Sequence, residues 1–183
     1  MNKADLENDY LLNEQRIIWL AEDVEAAVME RIAAQIAYLR DRSLEPIHIY
    51  FQCDGGDSGT GLGLANLVKR DGNIYGWVLG DSASAAATIW ASCAKRYIFA
   101  NAKIGIHPVQ RQWSSVTFDA DKAAKWVCDM RSSDEKACEI YAAASAKSSD
   151  WWWERMHQPG DVKWIEAREL VCIGMAEKAE GSK

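Results

Sequence analysis

The chain has 183 residues, 49% of them hydrophobic and 26% charged, with a formal charge of −6 at pH 7. This length suits one domain over residues 1–183 with a sizeable core, and the composition excludes a chain disordered along its length. The acidic balance excludes a nucleic-acid surface, because phosphate contacts need clustered Lys and Arg and the longest basic runs are Lys69-Arg70 and Lys95-Arg96. Five cysteines, at 53, 93, 128, 138 and 172, lack Cys-x-x-Cys spacing and read as reduced thiols rather than a disulfide framework or a zinc site. The polar start is no signal peptide, and no apolar run approaches the roughly 18 residues of a membrane span, so a cytoplasmic protein is expected.

Residues 1–15 carry little pattern beyond Tyr10, Leu11 and Leu12. Residues 16–20 read as a short strand, and Val24, Val28, Ile32, Ile36 and Leu39 give the next segment an apolar helical face. Pro46 introduces a strand over 47–52, a Gly55-Gly56 turn follows, and Leu62, Leu64, Leu67 and Val68 line another helix. Strand, helix, strand, helix forces parallel crossovers and an α/β class. The apolar run 74–79 is the next strand. It stops at Gly80, and Asp81-Ser82-Ala83-Ser84-Ala85-Ala86-Ala87 re-enters a helix through small residues. Such an elbow lifts one hydroxyl, here Ser84, above the sheet and aims backbone N–H groups at it; tight packing of small residues is the competing reading. Residues 95–100 read as a strand, and 104–107 as another that ends at His107, with Pro108 biasing it towards extended backbone. The stretch 109–118 precedes a long helix over 119–147, with partial apolar spacing at Ala123, Ala124, Val127, Met130, Ala137, Ile140 and Tyr141. Trp113 and Trp126 are candidate interface anchors. Ser149 or Asp150 caps a helix opening with Trp151-Trp152-Trp153, which cannot all face inward. From Glu177 the chain is polar and reads as a frayed tail, 177–183.

A serine alone is a poor nucleophile and needs a base, an orienting acid and an oxyanion hole. Of three histidines, only His107 stands at a strand end beside the serine motif; His48 alternates within a strand and reads as a surface or interface residue, and His157 falls in a loop. Gly80-Asp81-Ser82-Ala83-Ser84, then Gly105-Ile106-His107-Pro108, with Gly55-Gly56 upstream, Arg16-Ile17-Ile18-Trp19-Leu20 before it and Glu166-Ala167-Arg168-Glu169 after it, resembles the ClpP family, from about residue 16 to residue 175. That family is the proteolytic subunit of the Clp proteases, and a divergent bacterial or phage member fits the resemblance.

The resemblance implies an α/β fold of the ClpP and crotonase type, a spiral of ββα units, with 109–147 as a protruding handle strand and helix. It implies a serine endopeptidase in which Ser84 attacks, His107 is the general base, and the backbone N–H groups of Gly56 and Ala85 form the oxyanion hole. It gives Asp161 as the third triad member, one residue further from Trp164 than the family pattern, with Asp150 and Glu154 as alternatives. Asp54 stands where proline is common, and Asp57 where more apolar residues are usual. Further implied are a heptameric ring, stacked as a tetradecamer, unfolded chains or peptides as substrates, and a Clp-type ATPase as partner, met by the segment before the first strand. No metal or organic cofactor is implied for this subunit. Two readings compete: a non-catalytic ring subunit, favoured by the displaced Asp161, and a crotonase-type acyl-CoA enzyme, which uses backbone oxyanion donors without the serine and histidine pair.

Overall fold

Alternation along the strands decides which face of the sheet is covered. In the computed structural model, which describes residues 11–110 and 119–179, strand β2 (Ile47–Phe51) buries Ile47, Ile49 and Phe51 and leaves His48 and Tyr50 half-buried. Strand β3 (Ile74–Val78) repeats the pattern, burying Ile74, Gly76 and Val78. With β1 (Ile17–Leu20), β5 (Lys95–Ile98) and β8 (Glu177–Lys178) they form an all-parallel five-stranded sheet in the order β1-β2-β3-β5-β8. Helix α1 (Ala26–Arg42) buries the stripe Val28, Ile32, Ile36 and Leu39. Helix α2 (Ser58–Asp71) buries Leu64, Ala65 and Val68, and is capped by Asp57, whose side chain accepts from the Thr60 N–H. The apolar stripes of α1 and α2 belong to one core with the buried faces of β2 and β3. On the other face Trp19 meets Tyr50 edge to face, Tyr50 meets Trp77 at a tilt and Trp77 stacks on Tyr97, and Trp77 donates from Nε1 to His48 Nδ1 at 2.9 Å.

A second sheet carries the features of interest. Three residues after Val78 the chain makes a separate strand β4 (Asp81–Ala83), parallel to β6 (Lys103–Ile106), which pairs antiparallel with β7 (Lys163–Glu166). Helix α3 (Ser84–Ala91) grows directly out of β4, and its residues 85–91 are all buried, with Trp90 filling the space over Gly76. Helix α4 (Ala120–Ala143) has 24 residues, about 36 Å at 1.5 Å per residue, and only Asp134, Cys138 and Tyr141 on it are buried. Its C-terminal half therefore seats on the body while Val127, 53% exposed, stands clear. This is the long helix that the sequence suggests; the strand expected over 109–118 falls mainly on 111–118, outside the described residues, as do 1–10 of the N-terminal segment.

Two boundaries, at the start of the Trp-rich helix and at the tail, differ from the sequence reading. The Trp-rich helix α5 (Ser149–Met156) is capped by Ser148, whose hydroxyl accepts from the Trp151 N–H, rather than by Ser149 or Asp150; Trp152 is the tryptophan turned fully inward. Helix α6 (Ala167–Cys172) follows β7 without a linker. The tail expected to fray from Glu177 begins instead as β8, held because Ala179 is buried and donates its N–H to the Ile98 carbonyl. All five cysteines are free thiols, and no helix among the described residues is long and apolar enough to cross a membrane.

Candidate active site

The parallel pairing of β4 and β6 brings the serine and histidine motifs together. Ala83 is in register with Gly105, so Ser84 and His107 follow the C-terminal ends of adjacent strands. Both side chains line one cleft of about 30 Å³, together with Ala85, Val109, Asp134 and Tyr141. Ser84 takes a left-handed backbone at φ +54°, a conformation that costs a non-glycine residue roughly 1 kcal/mol and clusters at functional sites. It is the first residue of α3, so the Ala85 N–H lies in the first helical turn, where N–H groups have no acceptor within the helix.

The Gly55-Gly56 turn sits beneath this elbow, and its φ values of +111° and +150° suit glycine. A Cβ on Gly55 would lie 2.6 Å from Ser84 Cβ, and one on Gly56 2.5 Å from the Val24 backbone. Val24 pins the turn from both sides, donating its N–H to the Gly55 carbonyl at 2.7 Å and accepting from the Asp57 N–H at 2.8 Å. The Ala83 N–H donates to the Cys53 carbonyl at 2.9 Å, which ties β4 to the same segment. Gly55 thus packs against Ser84 and the Ala85 nitrogen, while Gly56, the next residue, packs against the Val24 backbone and does not line the cleft.

His107 is half-buried, and its Nδ1 lies 2.7 Å from the Pro108 carbonyl. A carbonyl only accepts, so Nδ1 carries the proton and the neutral ring keeps its lone pair at Nε2, the tautomer a general base needs. The orienting group here is main chain.

Asp161 lies elsewhere. It is exposed in the bend before β7, next to Gly160 at φ +114°, and it does not line the cleft. The β6–β7 register pairs Ile106 with Lys163; one step further along it Val162 comes across from His107, with its Cγ1 against Gly105. Asp150 and Glu154 are exposed on α5. Of the other histidines, His48 belongs to the open sheet face, and His157 ends α5 with its ring stacked on Trp153.

The carboxylate that does line the cleft is Asp134, 5% exposed, on α4. Its Oδ1 accepts the Val109 N–H at 2.8 Å and its Oδ2 lies 3.4 Å from His157 Nε2. Burial pushes its carboxyl up from the ordinary aspartate value, while the Val109 N–H and the charges of His157 and His107 pull it back. Sequence reasoning passed over it, although an acid at 134 in step with Cys138 and Tyr141 interrupts a buried stripe, which is a readable signal.

A strained serine heading a small-residue helix thus shares a cleft with a histidine that follows the adjacent strand, beside a pinned glycine turn. The chain belongs to the Clp protease family, whose match covers residues 3–180. It is 28% identical over 174 residues to the ATP-dependent Clp protease proteolytic subunit 2 of Tropheryma whipplei (strain Twist), an alignment covering 92% of each chain. It is likewise 28% identical over 176 residues to the ATP-dependent Clp protease proteolytic subunit of Streptococcus pneumoniae (strain 70585), covering 91% of this chain and 85% of that one. A subunit 1 from Leifsonia xyli subsp. xyli (strain CTCB07) is 25% identical over 174 residues. The mixed α/β architecture with its parallel sheet is that of the ClpP and crotonase type.

Proposed function

We propose that the chain is a serine endopeptidase in which Ser84 Oγ attacks a peptide carbonyl. His107 Nε2 takes the hydroxyl proton as the Oγ–C bond forms, and returns it to the amine as the C–N bond breaks. Water then resolves the acyl-enzyme with His107 again as base. The N–H groups of Gly56 and Ala85 take the developing oxyanion, each worth about 3 kcal/mol of transition-state stabilisation. The observation that carries this reading is the shared cleft: Ser84 in a strained left-handed conformation and His107 with its tautomer fixed, on adjacent parallel strands. For the acid, the resemblance gives Asp161, which reaches His107 only when its exposed loop turns inward.

Family membership supports the wider setting: a ring of identical chains in the cytoplasm, heptameric and stacked in pairs, that admits unfolded chains or peptides, with a Clp-type ATPase as partner. The shallow cleft agrees with selectivity by enclosure, since about 30 Å³ is far below the ~300 Å³ of an ordinary ligand pocket. The exposed position of Asp161 favours one second reading, a ring subunit that keeps the fold without turnover.

The test is intact mass after treatment with a fluorophosphonate, beside native mass for the ring. One adduct on the parent chain that is absent in Ser84→Ala and His107→Ala is expected. Loss of labelling in a folded Asp161→Asn assigns the acid to Asp161. No adduct on a folded ring moves the reading to the non-catalytic subunit.

A further inference from the structure

Among the described residues the strand pairing of β6 ends at Ile106, so the segment His107-Pro108-Val109 leaves it without a ladder partner, yet the ring of His107 has to hold one orientation. The fixed point just beyond it is Asp134. Its Oδ1 accepts the Val109 N–H at 2.8 Å, two residues after the histidine. Val109, Asp134, Ser84 and His107 all line the same cleft.

The second oxygen is also engaged. His157 Nδ1 lies 2.9 Å from the Trp153 carbonyl, so that nitrogen must donate. Its Nε2 then presents a hydrogen to Asp134 Oδ2, 3.4 Å away, when the ring is imidazolium, and stacking on Trp153 at 3.9 Å between centroids holds it there. The groups facing the carboxylate are therefore Val109 and His107 from the end of β6, His157 from the end of α5, and Cys138 and Tyr141 further along α4. Burial pushes the Cys138 thiol up to about 12 and the Tyr141 hydroxyl higher still, so neither titrates near neutrality.

We propose that Asp134 is a positioning residue for His107: it fixes the main chain immediately after the histidine through Val109 and sets a buried negative charge beside the imidazolium that forms during attack, with His157 steadying the carboxylate. This rests on the peptidase reading of Ser84 and His107. Asp134 neither takes the serine proton nor replaces Asp161; it acts from the long helix.

The experiment compares the parent with Asp134→Ala and Asp134→Asn in three readouts. Amide hydrogen exchange at Val109 and the ring ¹⁵N shifts of His107 need no activity, and the pH profile of fluorophosphonate labelling reads the chemistry. In Asp134→Ala the Val109 amide loses protection, the His107 ring no longer holds its Nδ1–H tautomer, and labelling slows roughly 100-fold, as for a reactant misplaced by about an ångström. Asp134→Asn keeps an acceptor oxygen and restores the Val109 protection. It still lacks the charge, so labelling stays about tenfold slow across the pH profile. Unchanged Val109 exchange and unchanged His107 shifts in either folded variant overturn the proposal. If the parent never labels while Val109 exchange and the His107 tautomer respond as stated, the peptidase reading fails and the positioning link stands.

Discussion

The two ends of the candidate site are built to different tolerances. At the serine end the Gly55-Gly56 turn is bonded on both sides by Val24, β4 is tied to Cys53, and Ser84 is held at φ +54° in contact range of Gly55. At the other end residues 157–162 are a loop, with Asp161 exposed and its neighbour Lys163 reaching back to the Pro159 carbonyl. An oxyanion hole acts by being preorganised, and so it gains from rigid main chain. An orienting acid can be supplied from a mobile segment, or its work divided, as the Pro108 carbonyl and Asp134 suggest. The difference teaches where stability is to be sought: substitutions at the serine end should be expensive, and those at the loop end nearly free.

The largest effect is expected at Gly55. A Cβ there meets Ser84 Cβ at 2.6 Å and the Ala83 carbonyl oxygen at 2.9 Å, and φ +111° is itself unfavourable for alanine. Gly55→Ala should cost about 4 kcal/mol in urea unfolding and suppress Ser84 labelling. A loss below about 1 kcal/mol would break the comparison, because the turn would then be yielding.

The scaffold pole of the main sheet sets the scale between the two ends. Arg40 holds Asp71 with two nitrogens, each at 2.6 Å, joining the end of α1 to the end of α2. Burial alone would raise the Asp71 carboxyl, but the Arg40 guanidinium and the Asn73 N–H hold it below its ordinary value. A lowered folded pKa gives stabilisation that is complete above the ordinary value near ~4 and is lost as pH falls through the folded one. Asp71→Asn should therefore cost about 2 kcal/mol at pH 7, with the gap to the parent closing as pH drops below about 4. Urea midpoints at pH 7 and pH 3 measure it.

The strain at Ser84 predicts a change of opposite sign. Ser84→Gly removes the hydroxyl and relieves a left-handed non-glycine residue, so it should abolish labelling while raising stability by about 1 kcal/mol. A destabilised Ser84→Gly would mean that the side chain supports the fold rather than being held against it.

How much of this could be read beforehand follows from the same contrast. Glycine turns, small-residue elbows and X-Pro steps are local rules, and Gly56, Ser84, Ala85 and His107 all lie where such rules applied. The alternation of Ile47 to Phe51 and the 4-4-3 spacing of Val28 to Leu39 likewise gave the sheet and α1. What escaped depends on contacts remote in sequence. Strand β4 is three residues without an apolar pattern and exists because β6 lies beside it. Strand β8 is two polar residues secured by pairing with β5 and by the buried Ala179. Asp134 interrupts the apolar spacing of its helix, which is legible, but what it holds shows only once Val109 and His157 close on it.

The smallest effect is the one that best sharpens the comparison. Asp161 is exposed, its loop carries Gly160 at φ +114°, and the neighbouring position that turns towards Gly105 belongs to Val162. Asp161→Asn removes a charge from a solvated bend, so its stability should stay within about 0.5 kcal/mol of the parent. Val162→Ala removes the Cγ1 methyl that lies against Gly105 of β6, and should cost more, about 1 kcal/mol. Were Asp161→Asn to cost as much as Val162→Ala, Asp161 would hold a partner in the folded ensemble, and the loop end of the site would be as closely built as the serine end.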